Sequence, residues 1–478
     1  MKEQSYAFFR SYNFVIDRLD ENFNNPRFDH INELLKKVKY KTIELSDKKE
    51  NIITYIASGK TPPNIHYQDE GVPFLGATNL HNEKVDTENA EKILPEIHEE
   101  ILASTQIKKN DVLVSIAGTI GLCAVYDSDE ECNCNQAITI LRINEEKVNP
   151  FFLMRYLHSE LGQLFFEKLQ HVSSQPNINN NEIGKIIGIF PEKDMQNKII
   201  KELQPYGVKI QEIEKEINEI KEKIENSLLN KLEILPRELS YFYKTGKETS
   251  FYFITNNEDI KDRLHLSYYT PKQSIMKELT DKYETISLKK ITVEPIRRGQ
   301  QPEYSDDGIT VIKTVDLKNS RIETELKVSE DFFEKYPDGH VKKNDVLIAS
   351  TGYCSIGKVD VYDSEEQAIV DGHVSIVRLK DGFNPYFITY FLRSMLGKIQ
   401  FDKWWTGSSG QIEIQPHDLE KFIVPDNTKK GIPIDIQNEI ANELNICSIE
   451  LDKVNTKYKE QLRLRNKSFL QQLIKDLN

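Results

Sequence analysis

The hexapeptide KKNDVL occurs at Lys108–Leu113 and again at Lys342–Leu347. The match continues on both sides. GVPFLGATNL (Gly71–Leu80) aligns with GITVIKTVDL (Gly308–Leu317), and AVYDS (Ala124–Ser128) with DVYDS (Asp360–Ser364). ITILRI (Ile138–Ile143) aligns with VSIVRL (Val374–Leu379), and NPFFLMRYLHSELG (Asn149–Gly162) with NPYFITYFLRSMLG (Asn384–Gly397). Further downstream GIFP (Gly188–Pro191) meets FIVP (Phe422–Pro425), and MQNKI (Met195–Ile199) meets IQNEI (Ile436–Ile440). Upstream, DRLDENFNNP (Asp17–Pro26) aligns with DRLHLSYYTP (Asp262–Pro271), and KTIEL with ETISL. The offset drifts from about 234 to about 245, as short loop insertions require. That period is far too long for a solenoid. The chain is therefore a tandem duplication of one module of roughly 235 residues.

Each module has one order of elements. Short Val/Ile-rich runs bounded by Gly, Asp and Asn predict strands: DVLVSI, CAVYD and AITILRI in the first copy, DVLIAS, VDVYD and VSIVRL in the second. Asn149-Pro150 and Asn384-Pro385 then open a helix, with Asn as N-cap and Pro at its first position. A polar loop follows, VSSQPNINN (Val172–Asn180) or TGSSGQIEI (Thr406–Ile414), and a last strand closes the unit. This is a mixed α/β (α+β) module.

A long helix ends each copy. In the first, apolar residues fall at Ile199, Leu203, Tyr206, Ile210, Ile213, Ile217, Ile220, Ile224 and Leu228; in the second, at Ile440, Leu444, Cys447, Leu451, Val454, Tyr458 and Leu462. Steps of four and three make a heptad stripe. Burying the two stripes against each other is the economical arrangement. Pro205 predicts a kink or a late helix start. A helix of about 40 residues is roughly 60 Å long, enough to act as a spacer between two modules, as in proteins that read two DNA half-sites at a set distance. The expected boundaries are 1–192 and 238–432 for the modules, 193–237 and 433–478 for the helices.

The rest of the composition excludes more than it identifies. No apolar run reaches the roughly 20 residues that span a bilayer, and MKEQSYAFFRSYNFVIDRL has early charge and no clean apolar segment. A cytoplasmic protein without membrane contact is expected. Five cysteines, Cys123, Cys132, Cys134, Cys354 and Cys447, make no disulfide framework, and CNC (Cys132–Cys134) lacks the spacing of a zinc site. The net charge of −13 weighs against coating nucleic acid by charge alone, though not against local basic loops.

Taken together, the repeated RLD…P/RLH…P, KKNDVL, GTIG (Gly118–Gly121), CNQAI (Cys134–Ile138), and P…QNKI/P…QNEI leading into a heptad helix resemble the DNA specificity subunit of type I restriction–modification systems. The resemblance covers nearly the whole chain. It implies two target recognition domains, each reading one half of a bipartite double-stranded DNA site, and two helices pairing as an antiparallel coiled coil. It implies docking of two copies of an adenine methyltransferase subunit, joined by a translocating restriction endonuclease subunit. Catalysis, and with it S-adenosylmethionine, ATP and Mg, belongs to those partners; this chain carries no cofactor. The copies differ at GYCSIG (Gly352–Gly357) against GTIG, and at DGHVSI against NQAITI. Such differences suit domains that read different bases.

No catalytic constellation competes. Asn149-Pro150-Phe151-Phe152 lacks the second Pro of a methyltransferase N-P-P-Y/F, and SGKTPP (Ser58–Pro63) lacks the spaced glycine of a phosphate loop. Asp316 with Glu325 and Lys327 fits a nuclease pattern only loosely, and His373 has no nucleophile partner. Base readout needs side-chain donors and acceptors, and each module has three loops rich in them. The first holds Ser58, Lys60 and Thr61, or Arg297, Arg298 and Gln300. The second holds Thr119, or Tyr353. The third holds Ser173, Ser174, Gln175 and Asn177, or Trp404, Ser408, Ser409 and Gln411. His373 joins them as a base-contact candidate. The bland alternative is that loops are polar because they face water, and core packing is the commoner fate of Trp404 and Trp405. Two other functions fit the same features. One is the recognition subunit of a type II enzyme with a fused nuclease–methyltransferase partner. The other is a helical scaffold that never touches DNA.

Overall fold

The structure, a computed structural model, describes residues 22–23, 25–63, 65, 67–68, 70–81, 83–171, 177–234, 273–319, 321–352, 355–408 and 411–475. The chain forms two compact units. Of the described residues, 22–212 and 458–475 belong to the first and 213–457 to the second.

In the first unit the strands that position the site are β1 (Ile53–Ser58), β2 (Val72–Leu75), β3 (Val112–Ser115), β4 (Cys123–Val125), β5 (Asn133–Cys134) and β6 (Ile138–Ile143). Four of them form an antiparallel sheet in the order β1-β6-β3-β4, while β2 pairs with β5 in parallel. Helices α1 (Pro150–His158) and α2 (Glu160–Leu169) follow, then α3 (Lys193–Lys231).

The second unit repeats this plan. Its corresponding strands are β7 (Arg297–Arg298), β8 (Ile309–Ile312), β9 (Val346–Ala349), β10 (Val359–Val361), β11 (Ala368–Val370) and β12 (Val374–Val377). The antiparallel sheet runs β7-β12-β9-β10, and β8 pairs with β11 in parallel. Helices α4 (Pro385–Arg393), α5 (Met395–Trp404) and α6 (Ile434–Leu473) complete it. The outer repeats form one more matched pair of strands in each unit. Lys41–Glu44 lies antiparallel to Ile187–Phe190, and Thr285–Ser287 to Ile423–Pro425.

Alternation along the strands divides each core in two. Val112 and Val114 face one layer with Phe152, Leu153 and Phe166; Leu113 faces the other with Leu75, Tyr126 and Cys134. In the second unit Val346 and Ile348 join Phe387 and Phe391, while Leu347 joins Ile312, Tyr362 and Val370. The long helices supply both units. Ile199 and Leu203 of α3 share the first core with Phe469, Leu470 and Leu473 of α6. Leu228 and Leu229 of α3 share the second with Ile440 and Leu444 of α6. The beginning of each helix thus packs with the end of the other, which is antiparallel pairing. In the second unit Lys231 bridges Glu439 and Glu443 at 3.0 and 3.2 Å. Helix α3 begins at Lys193, ahead of Pro205, so of the two expectations, a kink or a late start, the late start does not occur. Pro205 falls on the exposed side, where the stripe needs no residue.

Asn149 and Asn384 are N-caps, as predicted. Each Oδ1 accepts two backbone N–H groups, at 2.9 and 3.2 Å for Asn149 and at 2.9 and 3.0 Å for Asn384. The QN pair at each long-helix start clamps this cap. Buried Gln196 and Gln437 accept the backbone N–H of Asn149 and Asn384, both at 2.9 Å.

Candidate nucleic-acid interface

The repeated hexapeptide is a structural turn. Asn110 and Asn344 take φ of 70° and 72°, a left-handed conformation that Asn tolerates. The next residue, Asp111 or Asp345, is 1% exposed. Its Oδ2 accepts the N–H of Lys108 or Lys342 at 2.7 Å. An arginine closes the turn with a fork of two bonds. Arg142 Nε and Nη2 reach Asp111 at 2.9 and 2.7 Å, and Arg378 reaches Asp345 at the same two distances. A bidentate pair fixes geometry as well as charge. KKNDVL is written twice because both sheets need this corner.

Around this frame the predicted loops come together. In the first unit Ser58 ends β1 and donates to Asn180 Oδ1 at 3.0 Å, with Thr139 donating to the same oxygen at 2.7 Å. Ala117, beside exposed Thr119, bridges to exposed Asn177. Lys60 and Thr61 are exposed; Lys60 Nζ is 3.4 Å from Ser104 Oγ, and Thr61 Oγ1 donates to Gln136 Oε1 at 2.5 Å. In the second unit Arg298 stands where Ser58 does. It contacts Glu413 and the carbonyl of Ile414, both on the polar loop. Thr351 bridges to Glu413, joining the second loop to the third. Arg297 pairs with Glu294 and donates from Nε to the Asp338 carbonyl at 2.6 Å. The two arginines thus tie the loops down, with carboxylates beside both. Gln300 and His373 are exposed.

Gly59 and Gly299 show why these loops start with glycine. A Cβ on Gly59 would lie 2.2 Å from the Cys134 carbonyl oxygen, and one on Gly299 would lie 1.7 Å from that of Val370. Only glycine admits so close a backbone approach.

Trp404 belongs elsewhere. It is 7% exposed in the core of the second unit, and Lys421 Nζ stands 4.5 Å from its ring. Its ring is occupied by packing, which removes it from the readout set. Ser173, Ser174, Gln175, Tyr353 and Ser409 lie outside the described residues, as does Cys354; Ser408 and Gln411 occupy a short antiparallel pair of strands.

Asp316 Oδ2 accepts the Lys313 N–H at 2.8 Å and is 8% exposed, whereas Glu325 is exposed. Among the described residues no group of three His, Cys, Asp or Glu could hold a metal. Cys123, Cys132, Cys134 and Cys447 are buried and free, and burial pushes the Cys132 thiol up to about 12. Such thiols are unreactive. No helix among the described residues is long and apolar enough to cross a membrane.

Two matched units built on one sheet plan define a protein of two duplicated domains. The sequence profile of the "Type I restriction modification DNA specificity domain" family matches residues 37–222 and 296–462. The chain belongs to that family. It is similar to the type I restriction enzyme EcoBI specificity subunit of Escherichia coli, 22% identical over 205 residues. That match takes in 41% of this chain and spans 43% of the relative. Two solved structures are also similar. The type I restriction–modification S subunit of M. genitalium is 13% identical, over 92% of this chain and 97% of that one, with a TM-score of 0.36. The HsdS subunit of Thermoanaerobacter tengcongensis is 15% identical, over 90% and 96%, with a TM-score of 0.31.

Proposed function

We infer that the chain is a non-catalytic DNA-reading subunit of a restriction–modification enzyme. Modules 1–192 and 238–432 each read one half of a bipartite double-stranded site. Helices 193–237 and 433–478 set the gap between the halves. The observation that carries this reading is the duplicated loop cluster, built on one sheet plan in both units and lying within both segments matched by the family profile.

The same reading gives the helices a second task. Val208 on α3 and Ile449 on α6 occupy equivalent heptad positions and are 54% and 57% exposed. Pro205 and Ile446 precede them by one turn and are also exposed. A repeated apolar pair suits two copies of one partner, an adenine methyltransferase subunit, with a translocating endonuclease subunit added to the complex. S-adenosylmethionine, ATP and Mg act on those partners, in the cytoplasm.

The test is a gel shift with the chain and its methyltransferase subunit. The complex should prefer a bipartite site with a fixed gap; preference for one continuous site overturns the reading. Replacing exposed Lys60 and Gln300 by Ala should weaken binding. Arg298 is a poor probe, because reversing its charge would place a carboxylate against Glu413.

A further inference from the structure

Beyond the paired parallel strands, the two units repeat one turn bond for bond. In the first, Leu75 of β2 lies beside Cys134 of β5; in the second, Ile312 of β8 lies beside Val370 of β11. Asn135 donates its N–H to the Leu75 carbonyl at 2.8 Å, and Asp371 donates to that of Ile312 at 3.0 Å. Asn79 Oδ1 accepts the Gly76 N–H at 2.8 Å, and Asp316 Oδ2 accepts that of Lys313 at 2.8 Å. Asn135 Oδ1 accepts the Ala137 N–H at 2.9 Å, and Asp371 Oδ1 accepts that of His373 at 2.8 Å.

The side chains on this shared frame are exchanged. Thr78 and Gln136 are exposed in the first unit, and Val315 and His373 in the second. Lys313 stands where Gly76 is, with its Nζ 5.3 Å from the Tyr304 ring centroid. At the KKNDVL corner, by contrast, the duplicated frame keeps its side chains too. The exchanged turn also adjoins the first readout loop in both units. Thr61 donates to Gln136. A Cβ on Gly372 would lie 3.8 Å from the Gln300 carbonyl carbon.

Two readers of different sequences need a constant backbone with different exposed groups on it. The carboxyl ends of neighbouring parallel strands are a common place for ligands to meet a sheet. The exchanged groups also differ in what they can read. Gln pairs with adenine, Lys with guanine, and an apolar group meets the thymine methyl.

We propose that Thr78 and Gln136 in the first unit, and Lys313, Val315 and His373 in the second, are specificity-determining residues for the two half-sites; this rests on the DNA-reading function above. The test uses the full chain with its methyltransferase subunit, selecting from a random duplex library that is then sequenced. The wild type should return a bipartite site. K313G/V315T/H373A carries the first unit's residues at those positions. It should lower selection of the wild-type second half by about tenfold or more, the usual cost of a misread base pair, and leave the first half unchanged. T78V/Q136G should give the mirror result, and it decides the matter if the triple variant does not fold. If the wild type shows a bipartite site and folded variants keep both halves, this proposal alone is wrong. If the wild type returns no such site, the underlying DNA reading falls, and this proposal with it.

Discussion

The two units agree at the corner of the sheet and part company at the ends of the parallel strands. At the corner, Asp111 with Arg142 and Asp345 with Arg378 share residue types and both fork bonds at the same distances, with Glu294 added beside Arg378. At the strand ends the bonds stay, but the amides Asn79 and Asn135 become the acids Asp316 and Asp371. The corner pair resists change, because replacing either arginine strands a carboxylate that is 1% exposed. An amide and a carboxylate both offer an oxygen to the same N–H, so that position is free to drift. The duplication thus separates what holds the module from what can differ between its copies.

The largest test of this division is at the corner. D111A should cost about 3–5 kcal/mol in its own unit, since the Arg142 guanidinium loses its carboxylate; D345A should cost less, since Arg378 keeps its pair with Glu294. Chemical denaturation should show a loss for both variants, the larger for D111A; no loss in one of them would break the shared role of the corner. Next come G59A and G299A. Both force a Cβ onto a backbone carbonyl, and each should cost about 1–3 kcal/mol, read as a lower thermal midpoint. Smaller still are N149A and N384A, at about 1 kcal/mol each for a lost N-cap.

The smallest effect should separate the units. Burial pushes the Asp371 carboxyl up, and neighbouring Asp316 adds to this, while the His373 N–H, the His373 ring and Lys313 oppose it. Burial also pushes Asp316 up, against the Lys313 N–H, the charges of Lys313 and Lys318, and Thr324. For a raised carboxyl the unfolded chain holds fewer protons than the folded one between the two values. Stability is then full below the unfolded value of about 4 and falls as pH rises through the folded value. D316N/D371N, which installs the first unit's amides, should therefore melt higher than wild type at neutral pH. The gap should close toward about pH 4. Equal midpoints at all pH values would show that the acid pair is no different from the amide pair.

Much of this architecture is legible in the sequence because its signals are local. Asn-Pro at a helix start, the heptad steps and the repeated hexapeptide all lie within a few residues of what they specify. The arginine forks are not legible that way, since Arg142 and Arg378 lie 31 and 33 residues from their carboxylates. Nor is the internal role of Arg298, whose partner Glu413 is 115 residues away. Its residue type suggested a base reader; the fold sets it beside an acid. Trp404 has the aromatic face of a contact residue, and only the packing of α5 shows that the face is covered. Only part of the strand-end turn is legible, as NQAITI against DGHVSI; the rest is neither a motif nor a period. It is GATN against KTVD once the repeats are aligned, and it acquires meaning only when both turns prove to have the same bonds.

The segment containing Phe469, Leu470, Leu473 and Ile474 completes a core that otherwise belongs to residues 28–203. During synthesis, that earlier portion leaves the ribosome with an apolar trough still uncovered. It has to wait for the whole second unit to be made before its lid arrives. A nascent chain stalled before Tyr458 should therefore need holding by chaperones, and should stay protease-sensitive in its first unit even after the second has folded.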